Sequence, residues 1–453
     1  MKALEDFLNV VSSYVWGAPL IILLIGAGIY LTVRLRFLPV RHLLLGFRIT
    51  LGIDKDHSTP EEGTTGDISQ FQSLMTALAA TIGTGNIVGV ATAIASGGPG
   101  ALFWMWVSAF FGMATKYSEA ILAVRFRETR DNGEMAGGPM YYIKNGMHNK
   151  WLAAMFAFFG AMAAFGIGST VQANSVASAI KANFNCDLTY VAIALTVLTA
   201  AVVLGGISSI GQASSYIVPF MAVLYTAGGL FVIFTNLNLI PGALYEIVTD
   251  AFTGQAVVGG AVGTVIRYGV ARGIFSNEAG LGSAPIAAAA AKVDMPGRQA
   301  LVSMLGTFID TIIVCSMTGL VVVMSGMWKN AAGQGVILTG KAFEHFLPGY
   351  GNLLVGVSLI FFAYSTILGW CYYGEKCFEY LLGHRIVKVY RGLYAASVYV
   401  GSISTLGLVW TVSDIFNALM AFPNLIALIA LSGVIVEETN LFEAQLKKEK
   451  LKV

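Results

Sequence analysis

Charged residues are scarce in this chain. Asp, Glu, Lys and Arg make up only 11% of its 453 residues, whereas 56% are hydrophobic and the mean hydropathy is +0.72. Soluble domains carry about 25% charged residues, so the composition excludes a water-soluble protein and predicts an all-α polytopic membrane protein. The formal net charge is only +2 and no basic stripe is present, which excludes nucleic acid as a partner.

Cysteine and histidine are also scarce, and neither is spaced as a ligand set. Three of the four cysteines lie in apolar segments, and the histidines fall in polar connections, which excludes a disulfide framework and an intramembrane metal centre. No Gly-x-x-x-x-Gly-Lys-Ser/Thr run occurs, so we expect no drive by ATP. No nucleophile is paired with a base at membrane depth, so we predict no enzyme and no cofactor.

The N-terminal apolar run lacks a cleavage site. It extends from about residue 19 to 31 and is followed by Arg34, Arg36 and Arg41 without a small-residue motif. We therefore expect this run to remain as the first membrane span rather than to be removed as a signal peptide.

Long apolar runs, by contrast, are abundant. A membrane span needs about 20 apolar residues, and eleven segments are predicted: 15–35, 68–97, 99–126, 151–182, 188–206, 214–235, 257–290, 299–326, 348–382, 386–410 and 413–437. Lys and Arg collect after the first, third, seventh and ninth spans and in the tail. Because such loops are retained in the cytoplasm, we predict a cell-membrane protein with its N-terminus outside and its C-terminus in the cytoplasm.

Two of these spans are interrupted in their middle by glycine and polar residues. The first reads ATIGTGNIVG (80–89) and the second ARGIFSNEAGLGSAPI (271–286), about 190 residues later. A glycine pair alone also permits the close approach of a neighbouring helix. Unpaired backbone groups are costly in hydrocarbon, however, so broken helices occur where they face a cavity or a ligand. Two matching breaks indicate a transporter site between inverted repeats.

The repeat divides the chain into four parts. We predict an extra N-terminal helix with a cytoplasmic connection (1–60), a first five-helix repeat (61–240), a second five-helix repeat (241–440) and a charged cytoplasmic tail (441–453). Because five spans per repeat is an odd number, the two repeats enter the membrane from opposite sides. An internal inverted pair argues against a channel, which would need a symmetric pore formed by several copies.

Three segments carry a resemblance to a known family. TALAATIGTGNIVGVATAIASGGPGALFWMWVSAFFGMATKYSEAILAVRFRE (76–128), the following EMAGGPMYYIKNG and the later FSNEAGLGSAP resemble the alanine or glycine:cation symporter family, over nearly the full chain. That family is similar in architecture to the leucine-transporter fold. The resemblance implies import of a small neutral amino acid, alanine or glycine, coupled to sodium by alternating access in the lipid bilayer. Proton coupling is the alternative.

The resemblance also implies a substrate site at the two breaks. The amides of Thr84 and Gly85 would bind the substrate carboxylate, and the carbonyls of Thr81, Phe275 and Ser276 would hold its ammonium. Further candidates lie at the breaks, in the fourth span and in the ninth span: Asn86, Gln172, Asn174, Asn277 and Trp370. For Gln172 and Asn174 the alternative is bonding between helices, and for Trp370 it is a lipid-facing or interfacial position.

The implied sodium site consists of five neutral oxygens, a set that suits a hard monovalent cation. They are the carbonyls of Ala79, Ile82 and Phe362 and the hydroxyls of Ser365 and Thr366. For the two hydroxyls the alternative is a hydrogen bond to their own helix.

Charged residues inside predicted spans are functional candidates by default. Asp310 is a candidate second cation ligand or proton acceptor, and Glu278 is the other candidate for proton coupling. We expect Glu119, three residues after Lys116, to pair locally or to brace the second break. Arg272 is a candidate for an extracellular gate with an acidic partner that the sequence does not identify.

Overall fold

The computed structural model describes residues 2–53, 65–253, 262–330, 335–404 and 407–450. These residues form 22 α-helices and one two-stranded ribbon, β1 (Glu128–Thr129) with β2 (Met135–Ala136). The helices are α1 (Lys2–Val15), α2 (Ala18–Arg34), α3 (Leu38–Arg41), α4 (Leu43–Thr50), α5 (Gln70–Thr81), α6 (Val90–Gly97), α7 (Gly100–Arg125), α8 (Pro139–Gly146), α9 (Lys150–Ala163), α10 (Val171–Phe184), α11 (Leu188–Val203), α12 (Gly206–Thr235), α13 (Ile240–Thr253), α14 (Val262–Asn277), α15 (Pro285–Ala289), α16 (Pro296–Thr307), α17 (Ser316–Ser325), α18 (Gly335–Phe346), α19 (Gly351–Leu382), α20 (Val387–Ile403), α21 (Gly407–Ala430) and α22 (Ser432–Lys450).

Six helical stretches in the described residues are long and apolar enough to cross a membrane. They are Asp6–Arg34, Lys150–Phe184, Gly206–Thr235, Pro296–Ser325, Gly351–Leu382 and Val409–Ala430. The pair Gln70–Thr81 and Gly85–Gly97, bent by 51°, makes a seventh if it counts as one span. Helices α11 and α20 have only 16 and 17 residues, and part of the predicted span 257–290 lies outside the described residues. The count of eleven therefore stays a prediction.

The first break separates α5 from α6. Helix α5 begins with a capping box, in which the Ser69 hydroxyl accepts from the Gln72 amide and the Gln72 side chain accepts from the Ser69 amide. It ends where Ile82 adopts an extended conformation, with ψ of 94°. The helix resumes as a π-helical turn at Gly85–Gly89, a form that is frequent at functional sites.

The second break separates α14 from α15. Glu278, Gly280 and Gly282 all have positive φ angles, of 57°, 90° and 87°. Glycine adopts this conformation without steric cost, whereas a glutamate there is strained. The chain becomes helical again at Pro285, whose fixed φ suits the first turn of a helix.

Glycines bring the broken helices into direct contact with their neighbours. A Cβ at Gly85 would lie 3.2 Å from the Cα of Ser276, so the two breaks touch each other. A Cβ at Gly369 in α19 would lie 2.7 Å from the amide nitrogen of Ala80. Such close backbone contacts are how helices pack where no hydrophobic force presses them together.

The two broken helices run in opposite directions. The segment that leads into α5 pairs with the segment that leaves α15 through a parallel bridge between Ile68 and Ala291. The Arg127 guanidinium donates to the carbonyls of Ala289, Ala291 and Thr65 at 3.0, 2.7 and 3.0 Å. The start of one broken helix and the end of the other therefore lie at the same end of the molecule, as an inverted repeat requires.

The last candidate span ends at Ala430 and not at the predicted residue 437, and residues 441–450 of the predicted charged tail are helical. Helix α21 ends at Ala430, and the chain then forms α22 as far as Lys450. Glutamates of α22 pair with arginines of three other segments, in Arg125–Glu438 and Arg41–Glu443 at 2.8 Å and in Arg298–Glu449 at 3.0 Å. These carboxylates would be costly in hydrocarbon, so the helix lies against the basic ends of the bundle.

Candidate functional site

A small cavity lies between the two breaks. It is lined by eight of the residues predicted from the sequence, namely Thr81, Thr84, Gly85, Gln172, Phe275, Glu278, Thr366 and Trp370, together with Ala80, Gly83 and Ile167. Its free volume is only about 10 Å³, which admits about one water molecule. The binding of an amino acid here therefore requires the lining groups to move apart.

Asn86 and Asp310 hold the first break in shape. The Gly83 amide donates to Asn86 Oδ1 at 2.9 Å, and Asn86 Nδ2 donates to Asp310 Oδ1 at 2.7 Å and to the Asp310 carbonyl at 3.2 Å. Both side chains are fully buried. Neither lines the cavity, so the structure places them behind the unwound backbone rather than facing the ligand space.

Asp310 also connects to the second break. Its Oδ2 accepts from the Thr311 hydroxyl at 2.8 Å, and Thr311 accepts from Asn277 Nδ2 at 3.0 Å. The Asn277 side-chain oxygen Oδ1, in turn, accepts from the Ala279 amide at 3.0 Å. Asn277 therefore braces the unwound backbone and does not reach the cavity. The Ser276 hydroxyl, as distinct from the carbonyl implied to bind the ammonium, likewise points elsewhere and lies 3.4 Å from the Cys315 sulfur.

Glu119 contacts the backbone of the second break from α7. Its Oε1 accepts from the Gly280 amide at 3.1 Å and from Asn424 Nδ2 at 2.6 Å. Asn424 also donates to the Gly280 carbonyl at 2.9 Å and accepts from the Tyr142 hydroxyl. Glu119 forms no direct ion pair with Lys116 in the described part of the chain.

Glu278 faces the cavity and fixes one of its walls. Its Oε1 accepts from the Trp370 indole nitrogen at 3.0 Å, and its Oε2 accepts from the Ser283 hydroxyl at 2.5 Å. Trp370 is 1% exposed, which excludes the lipid-facing alternative. A Cβ at Gly168 would lie 2.4 Å from the Trp370 Cβ, so the indole is held from two sides.

The five oxygens of the implied sodium site lie together beside this cavity. The Ser365 hydroxyl is 3.3 Å from the Ala79 carbonyl and 2.9 Å from the Phe362 carbonyl. The Thr366 hydroxyl is 3.4 Å from the Ile82 carbonyl and 3.0 Å from that of Phe362. Each hydroxyl contacts its own helix, as the alternative expects, and also a carbonyl at the end of α5, where the sodium site is implied. All of these oxygens are neutral, and Ser365 and Thr366 are buried.

The two amides of the fourth span have different positions. Gln172 lines the cavity and donates to the Thr84 hydroxyl at 3.4 Å and to the Ile167 carbonyl at 3.1 Å. Asn174 instead donates to the carbonyls of Gly401 and Ser404 at 3.2 and 2.8 Å. Asn174 therefore lies outside the cavity and joins α10 to the end of α20.

Arg272 has an acidic partner that sequence reasoning missed. Asp414 in α21 acts on Arg272 through space, without an ion pair between them in the described residues, and it accepts from the Ser12 hydroxyl at 3.4 Å. Arg272 in addition lies over the Phe275 ring, 5.5 Å from its centroid. Since Asp414 falls inside the predicted span 413–437, the rule that marks intramembrane charges would have found it.

Comparison with known proteins shows which family the chain belongs to. The model of the "Sodium:alanine symporter family" matches residues 1–453. The chain belongs to the sodium:alanine symporter family. It is 53% identical to the sodium/alanine symporter AgcS of Methanococcus maripaludis, over 98% of each chain. It is 36% identical to the putative sodium/proton-dependent alanine carrier protein YrbD of Bacillus subtilis, over 98% of this chain and 94% of that protein.

A solved structure is similar in fold to this family member. MhsT, in a complex with L-phenylalanine, matches with a TM-score of 0.53 and 12% identity, over 84% of this chain and 99% of MhsT. The likeness confirms the predicted leucine-transporter-like helical fold. Family membership confirms the predicted class of function, a sodium-coupled amino acid transporter rather than an enzyme.

Proposed function

We propose that this family member imports a small neutral amino acid, alanine or glycine, together with sodium. One observation carries the proposal: five neutral oxygens from α5 and α19 converge beside a small cavity at two interrupted helices. Such a set binds a weakly charged hard cation without a carboxylate. Sodium bound there would join α5 to α19 and so favour the geometry that receives the substrate.

Substrate polarity fits the ends of the half-helices. The first amides of a helix have no acceptor within it, so Thr84 and Gly85 would donate to a carboxylate at the positive end of the helix dipole. The carbonyls of Thr81, Phe275 and Ser276 lie at helix ends of the opposite polarity and would accept from an ammonium. A zwitterion satisfies both sets at once.

Transport requires the cavity to open to each side in turn. Arg272 and Asp414 would control one entrance. At the opposite end, the contacts of Arg127 join the beginning of the first broken helix to the end of the second. We place this second end in the cytoplasm because Arg127 lies in one of the Arg-rich connections, which agrees with an outside N-terminus.

Uptake of labelled alanine into proteoliposomes tests this function. We expect accumulation with an inward sodium gradient and none with an inward proton gradient alone. Replacing Thr366→Ala removes one of five ion ligands and is expected to lower uptake at subsaturating sodium about 100-fold, equivalent to about 2.7 kcal/mol.

The matched control is Thr366→Ser, which keeps the hydroxyl and should stay within about threefold of wild type. Uptake driven by protons alone would indicate that transport is coupled to protons through Asp310 or Glu278. Absence of alanine uptake under every gradient would contradict the substrate assignment.

Trp370 limits the size of the substrate side chain. Replacing Trp370→Leu removes the indole from a cavity with almost no free volume, so larger amino acids should gain access. We expect leucine to compete with labelled alanine at concentrations at least tenfold lower than for the wild-type protein. This is a change of about 1.4 kcal/mol in binding free energy, which lies within the range that one or two methylene groups provide in an apolar pocket. Competition curves with glycine, alanine, valine and leucine measure this.

Trp106→Phe is the control, because it also loses an indole hydrogen bond, to Ser316 at 2.8 Å, but lies outside the cavity. An unchanged order of competitors in Trp370→Leu would show that another group sets substrate size.

A further inference from the structure

Lys116 is a buried cation that the proposed site does not use. Lys116 lies in the middle of α7 and is 2% exposed. Its Nζ has no hydrogen-bond partner among the residues that the structure describes. An ammonium in this environment is costly unless nearby charges compensate it. Its retention there calls for an electrostatic partner.

The face of α7 that carries Lys116 packs on the second break. One turn before it, a Cβ at Gly112 would lie 3.0 Å from the Cβ of Ala279. One turn after it, Glu119 accepts from the Gly280 amide at 3.1 Å. Residues three and four apart share a helix face, so Lys116 lies on the face of α7 that makes these two contacts with the unwound backbone.

Three carboxylates produce the negative field at Lys116. They belong to Glu119, Glu278 and Asp310. Glu119 Oε1 is bonded to the break, but its Oε2 is buried without a hydrogen-bond partner in the described ranges. The pair therefore attracts through space, and in a weakly polarisable interior this attraction is much stronger than in water.

We propose that the Lys116 ammonium is a fixed cation of the transport site: it neutralises one carboxylate at the second break, so that each cycle takes up one cation fewer. The inference rests on the proposed function for its cargo. Without Lys116, the carboxylates would hold an uncompensated buried charge, which a mobile cation would balance. That cation is sodium or a proton.

The charge carried per alanine tests this inference. Proteoliposomes with a potential set by potassium and valinomycin give the voltage at which net alanine flux stops, and hence the charge-to-alanine ratio. We expect Lys116→Met, of similar length but neutral, to raise the ratio by one. Lys116→Arg keeps the charge and should retain the wild-type ratio. The double variant Lys116→Met/Glu119→Gln removes both charges and should restore the wild-type charge-to-alanine ratio.

Two arms distinguish the sources of the extra charge. In Lys116→Met, a reversal voltage that follows the sodium gradient at constant pH identifies sodium, and one that follows the pH gradient identifies a proton. If the variant does not transport, equilibrium binding of ²²Na⁺ and proton uptake by the purified protein replace the flux measurement. One additional cation bound per chain in Lys116→Met supports the inference.

An unchanged ratio, or unchanged binding of both cations in Lys116→Met, overturns the role of Lys116. Failure of the proposed function is a separate result, because it would appear as absence of sodium-driven alanine uptake in the wild-type protein. The comparison of cation binding between wild type and variant would still be informative in that case.

Discussion

Replacing Gly83→Ala is expected to reduce sodium-driven alanine uptake at least about 100-fold, equivalent to about 2.7 kcal/mol or more in the rate-limiting barrier. A Cβ at Gly83 would lie 2.5 Å from the Thr366 hydroxyl and 3.6 Å from Gln172 Oε1. The first distance is far inside van der Waals contact, so the Thr366 side chain must rotate away from the Ile82 carbonyl. The substitution thereby disrupts the sodium ligands and the cavity together.

Gly89→Ala is the matched control. Gly89 ends the π-helical turn that follows Gly83 in the same broken helix, but a Cβ there would meet nothing within 4 Å. We expect its uptake to stay within about twofold of wild type, since an alanine also favours helix. Equal loss of uptake in both variants would indicate that this part of the broken helix tolerates no side chain at all. Near-normal uptake in Gly83→Ala would contradict the assigned ion site.

Replacing Asp310→Ala is expected to cause the second large loss, also of about 100-fold or more in uptake. The Asp310 carboxylate accepts from Asn86 and from Thr311, which hold the two breaks. Its removal leaves buried donors without their acceptor, at a cost of about 1–3 kcal/mol for each. Uptake at saturating sodium and alanine measures the loss.

Asp310→Asn separates bracing from ion coupling. The amide oxygen can still accept from Asn86, but the negative charge is gone. If Asp310 acts as a brace, this variant should retain at least about a tenth of wild-type uptake and its sodium dependence. If Asp310 binds the coupling cation or carries a proton, Asp310→Asn should instead behave like Asp310→Ala, or show exchange of alanine without accumulation.

Local chemistry in the sequence located the two breaks that form the cavity. The two breaks could be located because glycine and polar residues are conspicuous inside apolar spans. The substrate roles of Thr84, Gly85 and Phe275, which line the cavity, came from the resemblance. The adjacent hydroxyls Ser365 and Thr366 were assigned only through the resemblance, because a hydroxyl pair in a membrane helix commonly bonds to its own backbone.

Side-chain direction was not predictable in the same way. Asn86 and Asn277 lie within a few residues of the cavity, yet both turn away from it to brace the breaks. Asn174 is two residues from Gln172, and since a helix turns about 100° per residue, the two amides face different neighbours. Which face of a helix meets the ligand depends on how that helix packs, and a single span does not encode this.

The sequence also did not predict the polar interactions between segments that are distant in the chain. Asp414 and Asn424 lie about 140 residues after the residues with which they interact, Arg272 through space and Gly280 through a hydrogen bond. The end of the last span was misplaced because apolar residues continue past Ala430. Helix α22 begins just after that residue, lies against the basic ends of the bundle and pairs with arginines such as Arg125.

The sequence by itself determined that this chain is a helical membrane transporter with two interrupted spans, because hydropathy and helix-breaking residues act locally and remain readable in one dimension. Only the tertiary structure decided which polar groups face the cavity, which ones hold the breaks in shape and where Lys116 lies. Those outcomes depend on the packing of helices that are far apart in the chain. In the low dielectric of the interior each of these contacts has a large effect on the free energy, since a buried polar group without a partner is costly.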